Sequence, residues 1–285
     1  MPMDALQYEK RGYLLEPYRL FHLDTALTED TAFHFHEFHK IVFFLAGRGN
    51  YTVEGRNYEL KPNDIILVRQ GAIHKASIDP TARYERIILY IDPEFLRKNS
   101  TATTSLEKCF DETARQKSYV LRPNPVQLET LLKTLSTLEQ TLGGTEYGQD
   151  LSADISLMQI LIDLGRGRSG AKYRYTTAQN KDDKTVRLIE YINDHLTEQI
   201  SIDLLADRFY LSKYYMMRMF HSGTGYTIHS YLTEKRLHLA REMIRGGANA
   251  SEACYGCGYQ DYSAFARAYK KRFGVSPSRK PEAEA

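Results

Sequence analysis

Two clusters of residues in this chain have types and spacings that could do chemistry. In the first, His34 and His36 lie two apart, Lys40 follows, and His74 closes the run Gln70-Gly71-Ala72-Ile73-His74. Two positions apart on a strand places both imidazoles on one face. A third imidazole brought to that face would allow either a divalent metal or a hydrogen-bonded polar ligand. In the second, the run from Ser212 to His221 carries Lys213, Tyr214, Met217, Arg218 and His221 on one side of a helix and Met216, Met219 and Phe220 on the other. About 50 residues later Tyr262, Ser263, Ala266, Arg267, Lys270 and Lys271 stand opposite Phe265, Tyr269 and Phe273 in the same arrangement. A helix face of cations and aromatics, led by its N-terminus, is what the major groove of DNA accepts. A third pattern, Cys254-x-x-Cys257, lacks the second ligand pair or the βαβ context that zinc or redox use needs, so two packed helical thiols are expected.

The elements that must position these groups follow from periodicity. Short β-runs are read at His39 to Leu45, Gly49 to Val53, Arg56 to Leu60, Asp64 to Val68 and Tyr84 to Ile91, separated by turn pairs such as Glu54-Gly55 and Pro62-Asn63. Many short strands at this spacing predict a barrel or sandwich, with His34 and His36 on a strand facing its interior. After Pro125, leucines at 128, 131, 132, 135, 138 and 142, a Gly143-Gly144 turn, and Leu151, Ile155, Met158, Leu161, Ile162 and Leu164 predict two antiparallel helices. Any part of their apolar stripe left over after docking on the barrel would form a two-fold dimer seam. Residues 165–183 hold three glycines and five cations and almost no aliphatic residue, and are expected to be a flexible tether.

Beyond the tether the chain reads as helices near 184–197, 202–208, 213–221, 228–245, 250–257 and 262–273. Ser212 and Asp261 are placed as N-caps of the two helices with cationic faces. Leu205, Ala206 and Leu211 supply apolar cover for the first, and Gly258 the turn before the second. Two helix-turn-helix units joined by the long helix Ile228 to Arg245 would hold their reading helices about 34 Å apart, one turn of DNA.

Composition and charge agree with this division. The 285 residues are 42% hydrophobic and 26% charged, which is globular and argues for two domains. Residues 1–164 carry 18 Lys and Arg against 23 Asp and Glu, whereas residues 184–285 carry 15 against 11. An acidic front and a basic back predict that only the C-terminal part meets a polyanion. The longest apolar run, Ile41 to Ala46, is far below the ~18 residues that cross a bilayer, and the N-terminus has no signal-like apolar segment. Three cysteines are too few and too odd for a disulfide framework, so a cytoplasmic protein is expected.

Residues 184–281 resemble the DNA-binding domain of the AraC/XylS family of bacterial transcription regulators. The match lies in Ile202, Leu205-Ala206, Leu211-Ser212, Arg218, Phe220, Thr224-Gly225, Tyr231-Leu232, Arg236-Leu237, Ala240, Gly258-Tyr259, Phe265, Tyr269-Lys270-Lys271, Phe273-Gly274 and Ser276-Pro277. By this resemblance the base-reading positions fall on Tyr214, Met217 and Arg218, then on Tyr262, Ser263, Ala266 and Arg267. Departures gather in the second motif, where Ala250, Ala253 and Cys254 replace the usual pattern and Gly256 interrupts a helix at a cost of about 1 kcal/mol. The N-terminal part is similar to the cupin barrel, whose metal is held by histidines and a glutamate. Here Lys40 occupies the carboxylate position and would repel a cation, leaving His39 or water to complete any site.

The expected fold class is therefore α+β: a cupin-like β-barrel with an antiparallel helical pair over 1–164, a linker over 165–183, and an all-α double helix-turn-helix over 184–285. The expected function is a cytoplasmic, ligand-responsive transcription regulator, not an enzyme. Its partners would be operator DNA, a small-molecule effector, a second copy through helices 125–164, and RNA polymerase, with no membrane. The effector, a sugar or sugar acid, would be held by His34, His36, Lys40, Tyr51, Arg69 and His74, with Tyr58 as an alternative to Tyr51, and no metal or cofactor is assigned. Lys40 among imidazoles favours an anionic or polyhydroxylated compound. Two competing readings are a metal-dependent cupin enzyme using His34, His36 and His74 fused to a DNA-binding tail, and a constitutive DNA-binding protein whose barrel only dimerises.

Overall fold

A computed structural model describes residues 14–25, 31–166, 172–180 and 183–278. The chain divides into two compact units, Met1–Lys181 and Asp182–Ala285.

The first unit is built on two antiparallel sheets. Strands β1 (Tyr18–Asp24), β2 (His39–Ala46), β5 (Asp64–Val68), β7 (Glu85–Ile91), β8 (Val120–Pro123) and β9 (Tyr173–Tyr175) form a six-stranded sheet in the order β1-β7-β2-β5-β8-β9. Strands β3 (Gly49–Val53), β4 (Arg56–Glu59) and β6 (His74–Ile78) form a second sheet in the order β4-β3-β6. Alternation along the strands separates two cores. Val42, Phe44, Ile66, Val68, Ile88 and Tyr90 meet Tyr51, Val53, Tyr58, Ala76 and Ile78 of the smaller sheet. The intervening Ile41, Phe43, Ile65, Leu67, Leu89 and Ile91 face the other way, against helices.

Those helices are α1 (Pro93–Asn99), α2 (Lys108–Arg115), α3 (Pro125–Thr141) and α4 (Gln149–Gly165). Leu131, Leu135 and Leu138 of α3 and Leu157, Ile160, Leu161 and Leu164 of α4 are buried in the shared core. Each contributes about 1.5–3 kcal/mol of burial. Asn124 opens α3 by accepting from the Gln127 amide at 2.8 Å.

Two expectations need correction here. The segment around His34 is not a strand: His34 makes a single bridge to His74, with His34 N donating to His74 O at 3.1 Å and His74 N to His34 O at 2.9 Å. The stretch expected as a free tether is partly sheet. Tyr173, 2% exposed, and Tyr175 are β-formers on either side of Arg174, so β9 pairs with β8 through Leu121, Arg122 and Pro123. Asn180 then accepts from the Asn57 amide and donates to Gly55 O, both at 2.8 Å, so residues 172–180 belong to the first unit. Residues 167–171 and 181–182 lie outside the described residues.

The second unit contains α5 (Lys184–Asp194), α6 (Ile202–Phe209), α7 (Lys213–Thr224), α8 (Ile228–Arg245), α9 (Ala250–Gly256) and α10 (Tyr262–Phe273). Leu205, Ala206, Met216, Phe220, Tyr231 and Leu232 are buried in its first half. Ala240, Ala253, Cys254, Cys257, Phe265 and Tyr269 form the core of the second.

Candidate functional site

In the first unit β6, β2 and the residues leading into β2 bring His34, His36 and His74 together. Ring centroids lie 4.2 Å apart for His34 and His74, 4.8 Å for His36 and His74, and 6.2 Å for His34 and His36. His36 and His74 are fully buried. The Nδ1 atoms of His34, His36 and His74 lie 2.8, 2.8 and 3.0 Å from the carbonyl oxygens of Ala32, Phe38 and Ala72. A carbonyl only accepts, so each Nδ1 carries the proton and each Nε2 of a neutral ring presents a lone pair. The Nε2 atoms of His36 and His74 are buried with no hydrogen-bond partner among the described residues.

Burial holds the His36 imidazole well below its ordinary range, reinforced by the Lys40 ammonium and then by the neighbouring His34. His74 is depressed likewise by burial, then by His34 and Lys40. Lys40 is 4% exposed, and its ammonium lies 5.6 Å from the Tyr90 ring centroid. Tyr51 stacks near-parallel to His74 at 6.0 Å. Phe38 lies against His36 at 3.9 Å and against Tyr90 at 4.4 Å. Tyr90 and Phe38 escaped the sequence reading, although the inward parity of Ile88 and Tyr90 on β7 carries the signal for Tyr90. Tyr58 is buried in the same inner core, and its hydroxyl accepts from the Tyr119 amide.

Arg69 does not join this cluster. It continues the outward parity of Ile65 and Leu67 and pairs with Asp111 of α2 at 3.2 Å. His39 also faces outward, stacked on Phe110 at 4.3 Å and 3.7 Å from Glu107, so it cannot complete a site with His34, His36 and His74. Among the described residues no group of three His, Cys, Asp or Glu side chains is arranged to hold a metal ion.

In the second unit the caps fall where expected: Ser212 accepts from the Tyr215 amide, and Asp261 from the Ala264 amide. On α7, Lys213, Tyr214, Met217, Arg218 and His221 are all exposed, and the Arg218 guanidinium lies 5.8 Å from the Tyr214 ring. Lys213 is tied to the carboxylate of Asp203 on α6, which raises its pKa. On α10, Ser263, Arg267, Lys270 and Lys271 are exposed and Ala266 is half-buried. Tyr262 departs from the outward set: it packs beside Phe265 and shares a 2.8 Å hydrogen bond with Ser278.

Both motifs turn by the same backbone pattern. Leu211 N donates to Ala206 O and Tyr210 N to Asp207 O; Tyr259 N donates to Cys254 O and Gly258 N to Tyr255 O. This helix-ending motif needs a left-handed residue. Gly258 supplies it at φ 95°, and an added Cβ would lie 2.9 Å from Arg236 Nε and from Leu196 O. The first motif uses Tyr210 at φ 52°, a conformation that costs a side-chain-bearing residue about 1–2 kcal/mol. Gly256 ends α9, and its missing Cβ makes room for the Met243 side chain, so the glycine serves packing. Cys254 and Cys257 are buried; burial raises both thiols, Cys257 to about 11, as inert packed thiols require.

A sheet unit enclosing a polar cluster, followed by a unit of two helix-turn-helix motifs, defines a ligand-responsive transcription regulator. Residues 17–161 match the family of AraC-like ligand binding domains, and residues 205–280 match a helix-turn-helix domain family. The chain belongs to the AraC family of transcription regulators. It is 26% identical over 246 residues to the HTH-type transcriptional activator RhaS of Escherichia fergusonii, covering 86% of this chain and 85% of that one. It is also 26% identical over 245 residues to RhaS of Enterobacter sp., with the same coverage. Among solved structures it is similar to fatty-acid-bound ToxT from Vibrio cholerae, at 13% identity, 92% coverage of both chains and a TM-score of 0.36. No helix among the described residues is long and apolar enough to cross a membrane.

Proposed function

We propose that this regulator senses a polyhydroxylated compound, a sugar or sugar acid, through His36, His74, Lys40 and Tyr51, with His34 at the margin of the cluster. The observation that carries this reading is the pair of buried Nε2 lone pairs on His36 and His74. Two acceptors locked in place by backbone carbonyls call for a ligand that donates, and hydroxyl groups do so. The Lys40 ammonium supplies the opposite role and accommodates a ring oxygen or a carboxylate. Arg69, paired with Asp111, has no part in this.

Operator DNA is read by Tyr214, Met217, Arg218 and His221 on α7 and by Ser263, Ala266, Arg267 and Lys270 on α10. Lys213 serves phosphate when it leaves Asp203, and Tyr262 works through its position against Phe265. The regulator is an activator in this reading, as its RhaS relatives are named, and contacts RNA polymerase. It pairs with a second copy through residues 125–164, because Leu151 and Ile155 of α4 remain 60% and 55% exposed while Met158 and Ile162 continue the stripe. The regulator carries out no catalysis and works in the cytoplasm.

The test is a thermal-shift screen of sugars and sugar acids on the full chain, followed by titration of any hit against a labelled duplex that the protein selects from a random library. A hit that raises the melting temperature and shifts DNA affinity in wild type but not in Lys40→Met supports the assignment. Neutral behaviour across the panel, or a response unaltered by Lys40→Met, removes it.

A further inference from the structure

Four of the twelve large apolar side chains exposed among the described residues lie between 210 and 217: Tyr210 at 94%, Tyr214 at 72%, and Tyr215 and Met217 at 44% each. Such a concentration marks a contact surface. Tyr214 and Met217 belong to the reading face of α7, but Tyr210 does not: it stands in the turn before the helix. There the helix-ending motif fixes its backbone at φ 52° and ψ 47°, and its side chain has no partner among the described residues. The matching turn position of the second motif is Gly258, which carries no side chain at all. The first turn therefore holds a solvated phenol on a fixed backbone, at a position where glycine would be conformationally easier.

We propose that Tyr210 is a DNA-backbone contact, its hydroxyl donating a hydrogen bond to a phosphate oxygen at the edge of the groove that α7 enters. The assignment rests on α7 being the reading helix. When such a helix enters by its N-terminus, the turn before it comes to the sugar-phosphate rim. Tyrosine hydroxyls are among the groups that position a protein there. Lys213 stands three residues on and is held by Asp203, so a neutral donor at 210 supplies a contact that this lysine gives only by breaking its ion pair. The chemistry sets a signature. A phosphate contact carries no sequence information, and a neutral donor releases no counterion, so losing it lowers affinity for every duplex without changing the salt dependence.

The experiment uses the full chain and two fluorescein-labelled duplexes, one selected by the wild-type protein from a random library and one unselected, each titrated by anisotropy over a salt series. Tyr210→Phe removes only the hydroxyl, and Tyr210→Gly removes the ring while relieving the backbone. Expected are a roughly tenfold loss of affinity in both variants on both duplexes, the size of a hydrogen bond to a charged group, with an unchanged salt slope and a higher melting temperature for Tyr210→Gly. Binding by both variants within twofold of wild type overturns the proposal. So does a loss in Tyr210→Gly alone, which would mean that the ring and not the hydroxyl makes the contact. Intact DNA binding with reduced transcription in a reconstituted polymerase assay also overturns it and assigns the tyrosine to the polymerase. If the wild-type chain binds neither duplex, the DNA-binding reading itself has failed, and this inference fails with it.

Discussion

Acidification from about pH 7.5 to about pH 5.5 is expected to destabilise the first unit through His36 and His74. Both rings are fully buried, neutral, and depressed in pKa by burial and by Lys40 and His34. In the unfolded chain each regains a pKa of about 6.5. The unfolded state therefore binds more protons below that value, so stability is complete above about pH 6.5 and falls with pH until the folded rings themselves protonate. A ring that stays neutral in the folded state throughout this range loses about 1.4 kcal/mol, so the pair can lose at most about 2.7 kcal/mol. Denaturant unfolding at each pH, read by tyrosine fluorescence, measures the total. The contribution of the pair is the difference from His36→Asn/His74→Asn, which keeps a side-chain donor near Phe38 O and Ala72 O and cannot titrate. His238 in the second unit, also depressed by burial and then by Arg272 and Lys235, is common to both proteins and cancels. A double variant with the same pH slope as wild type would refute the neutral, acceptor-presenting cluster.

Further outcomes follow from other contacts. Arg218→Ala and Arg267→Ala should each weaken binding to a selected duplex by about 1–3 kcal/mol and relax base preference, as anisotropy against single-base variants of that duplex will report. Gly258→Ala should cost more than about 1 kcal/mol in chemical denaturation of the second unit, because φ is 95° and the methyl would lie 2.9 Å from Arg236 Nε and Leu196 O. Arg122→Ala should cost the first unit about 3 kcal/mol by denaturant unfolding. It leaves the fully buried Asp64 carboxylate without its two-pronged partner at 2.7 and 2.8 Å, and among the described residues the Lys61 amide is its remaining donor.

The sequence revealed most where local signals were strong. Strands β2 to β5 and β7 stand between turn pairs such as Glu54-Gly55 and Pro62-Asn63, and their β-branched and aromatic runs announce them. Strand β1 mixes Arg19 and His22 into a half-buried edge, and β6 is His74-Lys-Ala-Ser-Ile, whose strand character comes from pairing with β3. Neither carries enough local preference to be seen alone. The same holds for β9, which a count of glycines and cations hides until β8 offers it an edge. Helices α1 and α2, only 7 and 8 residues long, are too short for a periodic signal. In the site, the histidines and Lys40 were legible by type. The direction of Arg69 was not, because it follows from the parity of β5, which a motif does not record. The helix-turn-helix units were the clearest part, since caps, turns and apolar stripes repeat twice in the same order. What the repeat could not disclose was Tyr210, whose interest lies in a backbone conformation.

DNA recognition by this chain depends on two reading helices held in one unit. Hydroxyl-radical footprinting of the full-length protein on a duplex it selects tests this most directly. Two protected patches about 10 base pairs apart on the same face of the DNA are predicted for each bound unit, with both lost together in Arg218→Ala/Arg267→Ala. A single patch, or two patches on opposite faces of the duplex, would contradict it.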